Sequence, residues 1–279
     1  MVDLSARMTR PARLVAVDMD GTFLDAESAY DRVRFGRFNQ RLQAAGARFV
    51  VASGNQYWQL LTYFDGFPDV FYIAENGALV ATAERVLRVA PFEPSAVAAA
   101  LDFVDRLPGV STLACGVKAA YARYDTDPGV LEMMRRYYVR LELVDGWAEV
   151  DDDVVKLALA CPAERTGALL AELAIGLPRG VVPTSSGHGS IDLVSHGVNK
   201  GVALAWLGER LGIAAEEMIA FGDGGNDVEM LALVGLGVAM ANAPDDVKKH
   251  ADVVAGAHDD SGVLEFLEHL PGQPWSDRS

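Results

Sequence analysis

The sequence predicts an α/β fold: a doubly wound, mainly parallel sheet interrupted by an inserted α+β domain. Three observations lead there. At both ends of the chain, short apolar runs of strand length alternate with stretches of helical periodicity, the pattern of a parallel sheet covered on both faces. In the middle, strand-like segments follow one another across short connections, which requires antiparallel pairing. Finally, several outer apolar runs end on Asp, Ser, Gly or Asn, where a parallel sheet opens onto its ligand crevice.

The outer elements follow in order. The first strand is Leu14–Val17 (LVAV). Residues 32–45 place Val33, Phe35, Phe38 and Leu42 at helical spacing, and Gly46 stops that helix. Residues 48–52 (RFVVA) form the second strand, Ser53-Gly54-Asn55 turns into a helix bearing Tyr57, Trp58, Leu60 and Leu61, and residues 70–74 form the third strand. Towards the C-terminus a helix at 200–211, a strand at 218–221, a helix at 228–234, a strand at 236–240 and a helix at 262–270 complete the outer domain. Between them, helices at 95–106, 129–139 and 163–175 are interleaved with strands at 111–115, 118–122, 154–160, 181–183 and 191–194. The expected division is 1–87 with 190–279 for the outer domain and 88–189 for the insert.

The bulk properties exclude several function classes. The 279 residues are 51% hydrophobic, enough for a substantial core, and carry a formal net charge of −15. That charge argues against nucleic acid and against an anionic membrane surface as partners. No apolar run approaches the ~18 residues of a membrane span. The opening MVDLSARMTRPAR lacks the apolar stretch of a secretory signal. Cys115 and Cys161 show no metal-type spacing and read as reduced thiols. The expected setting is cytoplasmic, as a monomer or homodimer.

Four short elements carry the chemistry, each at an expected strand end or helix start. Asp18-Met19-Asp20-Gly21-Thr22 offers two carboxylates that can hold a hard cation, attack phosphorus or exchange a proton. Ser53-Gly54-Asn55 offers a hydroxyl and backbone amides at a helix start, which suit a phosphate oxygen. Asn199-Lys200-Gly201 puts a cation at a helix start, where the helix dipole disfavours it. Gly222-Asp223-Gly224-Gly225-Asn226-Asp227 supplies a second acidic cluster. Converging on one crevice, they describe a magnesium-dependent phosphoryl-transfer site.

In this order, the four motifs resemble the haloacid dehalogenase superfamily, and within it the Cof-type phosphatases, whose large cap lies between the second and third motifs. The longer segments VVASGNQYWQL, AENGALV, LACGVKAAY, TSSGHGSIDLV and AMANAPDDVKKHAD resemble sugar phosphatases of that class, so the similarity covers nearly the whole chain beyond the first dozen residues. Gly224 stands where serine is common, and Asp260-Ser261-Gly262 where an acidic residue directly precedes glycine; neither alters the chemical groups.

The resemblance implies roles residue by residue. Asp18 is the nucleophile that forms an aspartyl-phosphate, and Asp20 the general acid/base, protonated while Asp18 is charged. Mg2+ is held by Asp18, the backbone carbonyl of Asp20 and Asp223, with Asp227 ligating or orienting that shell. Ser53, Gly54, Lys200 and Asn226 meet the phosphoryl oxygens. The 88–189 insert is the cap that sets specificity, and the substrate is a small phosphorylated sugar such as a hexose or pentose phosphate. Rival readings are hydrolysis of another small ester (flavin mononucleotide or pyridoxal phosphate), a phosphosugar mutase, and a non-enzymatic sugar-phosphate sensor. The intact Asp18 and Asp20 pair argues against the sensor. Asn76, Lys156 and His188 are further candidates for facing the substrate, whereas Cys115 reads as a packed core thiol.

Overall fold

β1 (Leu14–Val17) shows why the outer sheet is covered on both faces. All four residues are buried; Val15 and Val17 enter one apolar cluster, Leu14 and Ala16 another. The computed structural model describes residue 8 and residues 10–187 and 190–276. After β1 come α1 (Arg32–Ala44), β2 (Arg48–Ala52), α2 (Tyr57–Tyr63), β3 (Phe71–Ala74), β4 (Leu79–Thr82) and β5 (Val86–Val89). The middle of the chain forms α3 (Pro94–Val104), β6 (Ser111–Gly116), β7 (Ala120–Arg123), α4 (Pro128–Tyr137), β8 (Leu141–Val144), β9 (Val154–Ala160), α5 (Thr166–Gly176), β10 (Val181–Gly187) and β11 (Ser190–Ser195). The last part forms α6 (Lys200–Leu211), β12 (Met218–Gly222), α7 (Val228–Leu233), β13 (Leu236–Ala239), α8 (Asp245–Lys248), β14 (Val253–Val254) and α9 (Gly262–His269).

Among the described residues the strands make two sheets. The first has the order β14-β13-β12-β1-β2-β3-β4-β5, parallel from β14 to β3 and closed by the antiparallel pair β4 and β5. Phe35, Phe38 and Leu42 of α1 and Leu264 and Leu267 of α9 cover one face. Leu204 and Leu207 of α6 and Met230 and Leu231 of α7 cover the other. The second sheet has the order β10-β11-β9-β6-β7-β8, antiparallel except for β7 with β8. Leu101 and Val104 of α3 and Leu169 and Leu173 of α5 pack in one of its clusters, Leu131 and Met134 of α4 in the other.

The architecture matches the expected class, but the expected borders move. β5 stays with the first sheet through Val89, so the border at 87/88 falls inside a strand. β11 pairs with β9 and β10, so the second sheet continues past 189 to Ser195. The β4–β5 extension and β8 were not among the expected strands. β4 follows β3 after four residues, 75–78, and β8 follows α4 so closely that helical and strand patterns merge.

Capping and aromatic packing fix the elements nearest the site. Asp31 accepts hydrogen bonds from the Val33 and Arg34 amides at the start of α1, and Asn199 accepts from the Val202 amide at the start of α6. Phe35 is fully buried, with ring centroids 4.8 Å from Phe49, 4.9 Å from Phe67, 5.5 Å from Phe64 and 5.6 Å from Phe23. Phe35→Ala is expected to lower unfolding free energy by about 3–5 kcal/mol in urea titrations, against less than about 0.5 kcal/mol for Val33→Ala on the exposed face of the same helix. Equal effects at the two positions would contradict this packing.

Candidate active site

The C-terminal ends of β1 and β12 lie side by side and deliver the first and fourth motifs together. The Asp18 amide donates to the Phe221 carbonyl, so the pairing of β1 with β12 continues into the first motif. The chain then turns at once, with the Thr22, Phe23 and Leu24 amides all donating to the Met19 carbonyl. Gly21 sits in this turn at φ +78°, and a Cβ there would lie 2.4 Å from an Asp223 carboxylate oxygen. Only glycine combines that conformation with so close an approach. Thr22 Oγ1 donates to Asp223 Oδ1 at 2.7 Å and fixes that carboxylate.

Lys200 ties the third motif to both acidic ones. Standing at the start of α6, it is fully buried, and its Nζ donates to Asp18 Oδ1 at 2.6 Å and Asp227 Oδ1 at 2.7 Å. The other Asp227 oxygen accepts from the amides of Asp223 and Gly224. Both Asp227 oxygens are thus engaged, so it orients Lys200 and the 223–224 loop. Oxygens of Asp18, Asp223 and Asp227 lie within 4.8 Å of one another.

Three carboxylates face one ammonium here. Burial pushes the Asp18 carboxyl well above the ordinary carboxylate range; Lys200 pulls it back, while Asp227 and Asp223 push it further up. Burial likewise raises Asp223, against the hydrogen bond from Thr22. For Lys200, burial disfavours the charged form, but Asp18 and Asp227 outweigh it and the ammonium is held more firmly than usual. The excess negative charge and the hard oxygen donors fit a divalent cation of the magnesium type.

The second motif lies across from this cluster. Asn55 Nδ2 donates to Asp20 Oδ2 at 2.7 Å, so exposed Asp20 is turned towards the second motif while Asp18 is buried against Lys200. The charges bearing most on Asp18 are those of Lys200, Asp227 and Asp223. Ser53 is buried, and its Oγ accepts from the Asn55 amide. Asn226 Nδ2 donates to Asn76 Oδ1 at 2.9 Å, and Asn76 Nδ2 to Asp192 Oδ2 at 2.6 Å.

A cavity of about 430 Å³ joins these groups. Its polar end is lined by Asp18, Asp20, Ser53, Gly54, Asn55 and Asn226; its other end is lined chiefly by Leu113, Met133, Met134, Tyr137 and Tyr138 of the second sheet and α4. Lys156 and Asp192 also line it. Lys200 is not in that wall; its Nζ is bonded to Asp18 and Asp227 beside it. Cys115 is buried outside the lining, and His188 lies outside the described residues. The residues missed from sequence are Asn55, Asp192 and the Met133–Tyr138 wall. Asn55 was legible as part of the SGN motif; the others are brought in only by the pairing of the second sheet and the docking of α4.

Comparisons with known proteins place the chain in a family. The sequence profile of the haloacid dehalogenase-like hydrolases matches residues 15–267. The chain is 37% identical over 259 residues to the 5-amino-6-(5-phospho-D-ribitylamino)uracil phosphatase YbjI of Escherichia coli, covering 92% of this chain and 96% of that one. It is 31% identical to the phosphoglycolate phosphatase of Methanopyrus kandleri over the same shares of the two chains. The crystal structure of SMU.1108c from Streptococcus mutans superposes with a TM-score of 0.86 at 34% identity, covering 92% of this chain and 98% of that one. The chain therefore belongs to the haloacid dehalogenase-like hydrolases and is a phosphatase, a phosphoric monoester hydrolase, of that family.

Proposed function

We propose that the protein is a magnesium-dependent phosphatase of small phosphorylated sugars and sugar alcohols, acting through a phosphoryl group held transiently on Asp18. The observation that carries this reading is the buried cluster of Asp18, Asp223 and Asp227 around Lys200, at the polar end of a cavity that Asp20 also lines. Asp18, Asp223 and the Asp20 backbone carbonyl would hold the ion. When bound, it supplies positive charge against the carboxylates and the phosphoryl oxygens.

Asp18 attacks phosphorus, and the bond from phosphorus to the leaving oxygen breaks as Asp20 gives that oxygen a proton. Asn55 holds one Asp20 oxygen and leaves the other free to carry the proton. Water then attacks phosphorus, Asp20 takes back a proton, and Asp18 is released as a carboxylate with inorganic phosphate. The Gly54 amide and Asn226 orient the phosphoryl oxygens, and Ser53 shapes the loop that presents them. The second sheet with its helices acts as the cap: it supplies the wall that meets the leaving group and excludes water.

That wall narrows the substrate. Methionine and tyrosine side chains suit an apolar or flat group as well as a hydroxylated chain. Lys156 is the cation among the described lining residues, and it is already paired with Glu75 and Asp192. A carboxylated ester such as phosphoglycolate finds no free partner there. A phosphoribityl chain bearing a pyrimidine, the substrate named for the Escherichia coli relative, pairs a phosphate for the polar groups with a flat ring for the methionine and tyrosine wall, and is favoured over a bare hexose phosphate.

A panel containing the phosphoribitylaminouracil, hexose and pentose phosphates, flavin mononucleotide, pyridoxal phosphate and phosphoglycolate tests this. Phosphate release is expected to be fastest from the first and slowest from phosphoglycolate, to stop with excess chelator, and to return with magnesium. Fastest release from phosphoglycolate, or release indifferent to chelator, would overturn the substrate or the metal. In the same assay Asp18→Asn is expected to lose at least about a thousandfold in turnover with an unchanged circular dichroism spectrum. Activity within about tenfold of the native protein would overturn the nucleophile.

A further inference from the structure

The loop at Ser53-Gly54-Asn55 is held by all three of its carbonyls. The Ser53 carbonyl accepts from the Asn76 amide and the Asn55 carbonyl from the Glu75 amide, both at 3.1 Å. The third bond comes from the other sheet: Lys156 Nζ, on β9, donates to the Gly54 carbonyl at 2.6 Å. A trans peptide is planar, so fixing a carbonyl fixes the amide on its far side. Lys156 thereby sets the direction of the Asn55 amide and the start of the Asn55 side chain that grips Asp20. The neighbouring bond to Asn76 turns the Gly54 amide the opposite way, and among the described residues that amide has no protein acceptor. The Asn55 amide donates to Ser53 Oγ, so of the three loop amides Gly54's is the one turned outward, and the carbonyls held on both sides of Gly54 fix it as an anion contact.

Lys156 is itself built in. It is 2% exposed, lies 2.8 Å from Glu75 Oε2 and 3.4 Å from Asp192 Oδ2, and its Nζ is 5.6 Å from the Tyr138 ring centre. Asp192 in turn accepts from Asn76, and Asn76 accepts from Asn226. A continuous polar chain, buried at Asn76, Asp192 and Lys156 and partly exposed at its ends, therefore runs from the fourth motif through the second sheet to the second motif. The turn that contributes Glu75 and Asn76 is strained, with φ of +51° and +56° at two successive non-glycine residues. Such a conformation persists only where its surroundings over-determine it.

We propose that Lys156 is a positioning residue for the phosphate loop: by holding the Gly54 carbonyl from the second sheet, it makes the anion contact complete only when that sheet is seated on the first. The proposal rests on the phosphatase reading and adds to it a residue that acts through the loop without touching the phosphoryl group. It also assigns Glu75 and Asp192 a purpose, to hold Lys156 in place and balance its charge.

The test compares native protein, Lys156→Met, and the triple variant Glu75→Gln/Lys156→Met/Asp192→Asn, which removes the buried charges together and so avoids stranding carboxylates. Orthophosphate affinity is measured by calorimetry with magnesium present, KM and kcat with p-nitrophenyl phosphate and with ribose 5-phosphate, and melting temperature alongside. Both variants are expected to bind orthophosphate about ten- to a hundredfold more weakly, with KM rising by the same factor for both esters. The triple variant recovers the melting temperature lost in the single one without recovering phosphate affinity. Unchanged orthophosphate affinity, a loss confined to one ester, or affinity that returns with the melting temperature would each overturn the proposal. Native protein that hydrolyses neither ester would count against the broad sugar-phosphate reading alone, since the calorimetric comparison still decides the role of Lys156.

Discussion

The bond from Lys200 to Asp18 and Asp227 is the constraint on which the rest of the site depends. Three carboxylates cannot be buried within a few ångströms of each other without a compensating cation, and removing one partner from a buried ion pair costs about 3–5 kcal/mol. Lys200 supplies that compensation from the first turn of α6, where the helix dipole works against it. In doing so it pins three separate segments: the end of β1, the start of α6 and the loop after β12. The parallel order of β12, β1 and β2 brings the same strand ends to one edge, so topology delivers the residues and the ion pairs lock them.

A second buried network joins the two sheets. Lys156 and Asp192 of the second sheet meet Glu75 and Asn76 of the first, and Gln56 exchanges hydrogen bonds with the Arg140 backbone nearby. Trp58 donates to the Val117 carbonyl, and the Arg140 guanidinium lies 3.2 Å from its ring centre. The seam is therefore polar and directional, which fixes one docking geometry where a purely apolar contact would tolerate sliding. The strained Glu75-Asn76 turn places one carboxylate and one amide into this seam. Asn226 stands next to Asp227 in the chain and donates to Asn76, so it links the loop of the first network to the second.

Much of the outer sheet was legible in the sequence, because its elements obey local rules. β1, β2 and α6 begin and end where apolar periodicity and capping residues place them, and the four motifs lie at strand ends or helix starts. The interior of the second sheet was partly legible, with β9 read correctly and β8 missed. What sequence could not supply was partnership. Lys200 is readable as a cation at a helix start, but its burial between two aspartates comes only with the fold. Lys156 reads as a strand residue that could face the substrate, and its bond to the SGN loop comes only when β9 is laid against it. Asp192 lies in the TSSGHGSIDLV segment but not in any of the four motifs, and its place in the site depends on the β9–β11 pairing and on a turn with two positive φ angles.

The phosphoryl group on Asp18 is the central claim, and trapping it is the most direct measurement. In Asp20→Asn, an activated aryl phosphate still transfers its phosphoryl group, because a good leaving group needs little protonation, while hydrolysis of the adduct is slowed for want of a base. Acid quenching during turnover, followed by peptide mass analysis, is expected to find phosphate on the peptide containing Asp18. Phosphate on another residue, or phosphate and aryl alcohol released together from the first turnover with no adduct, would contradict it.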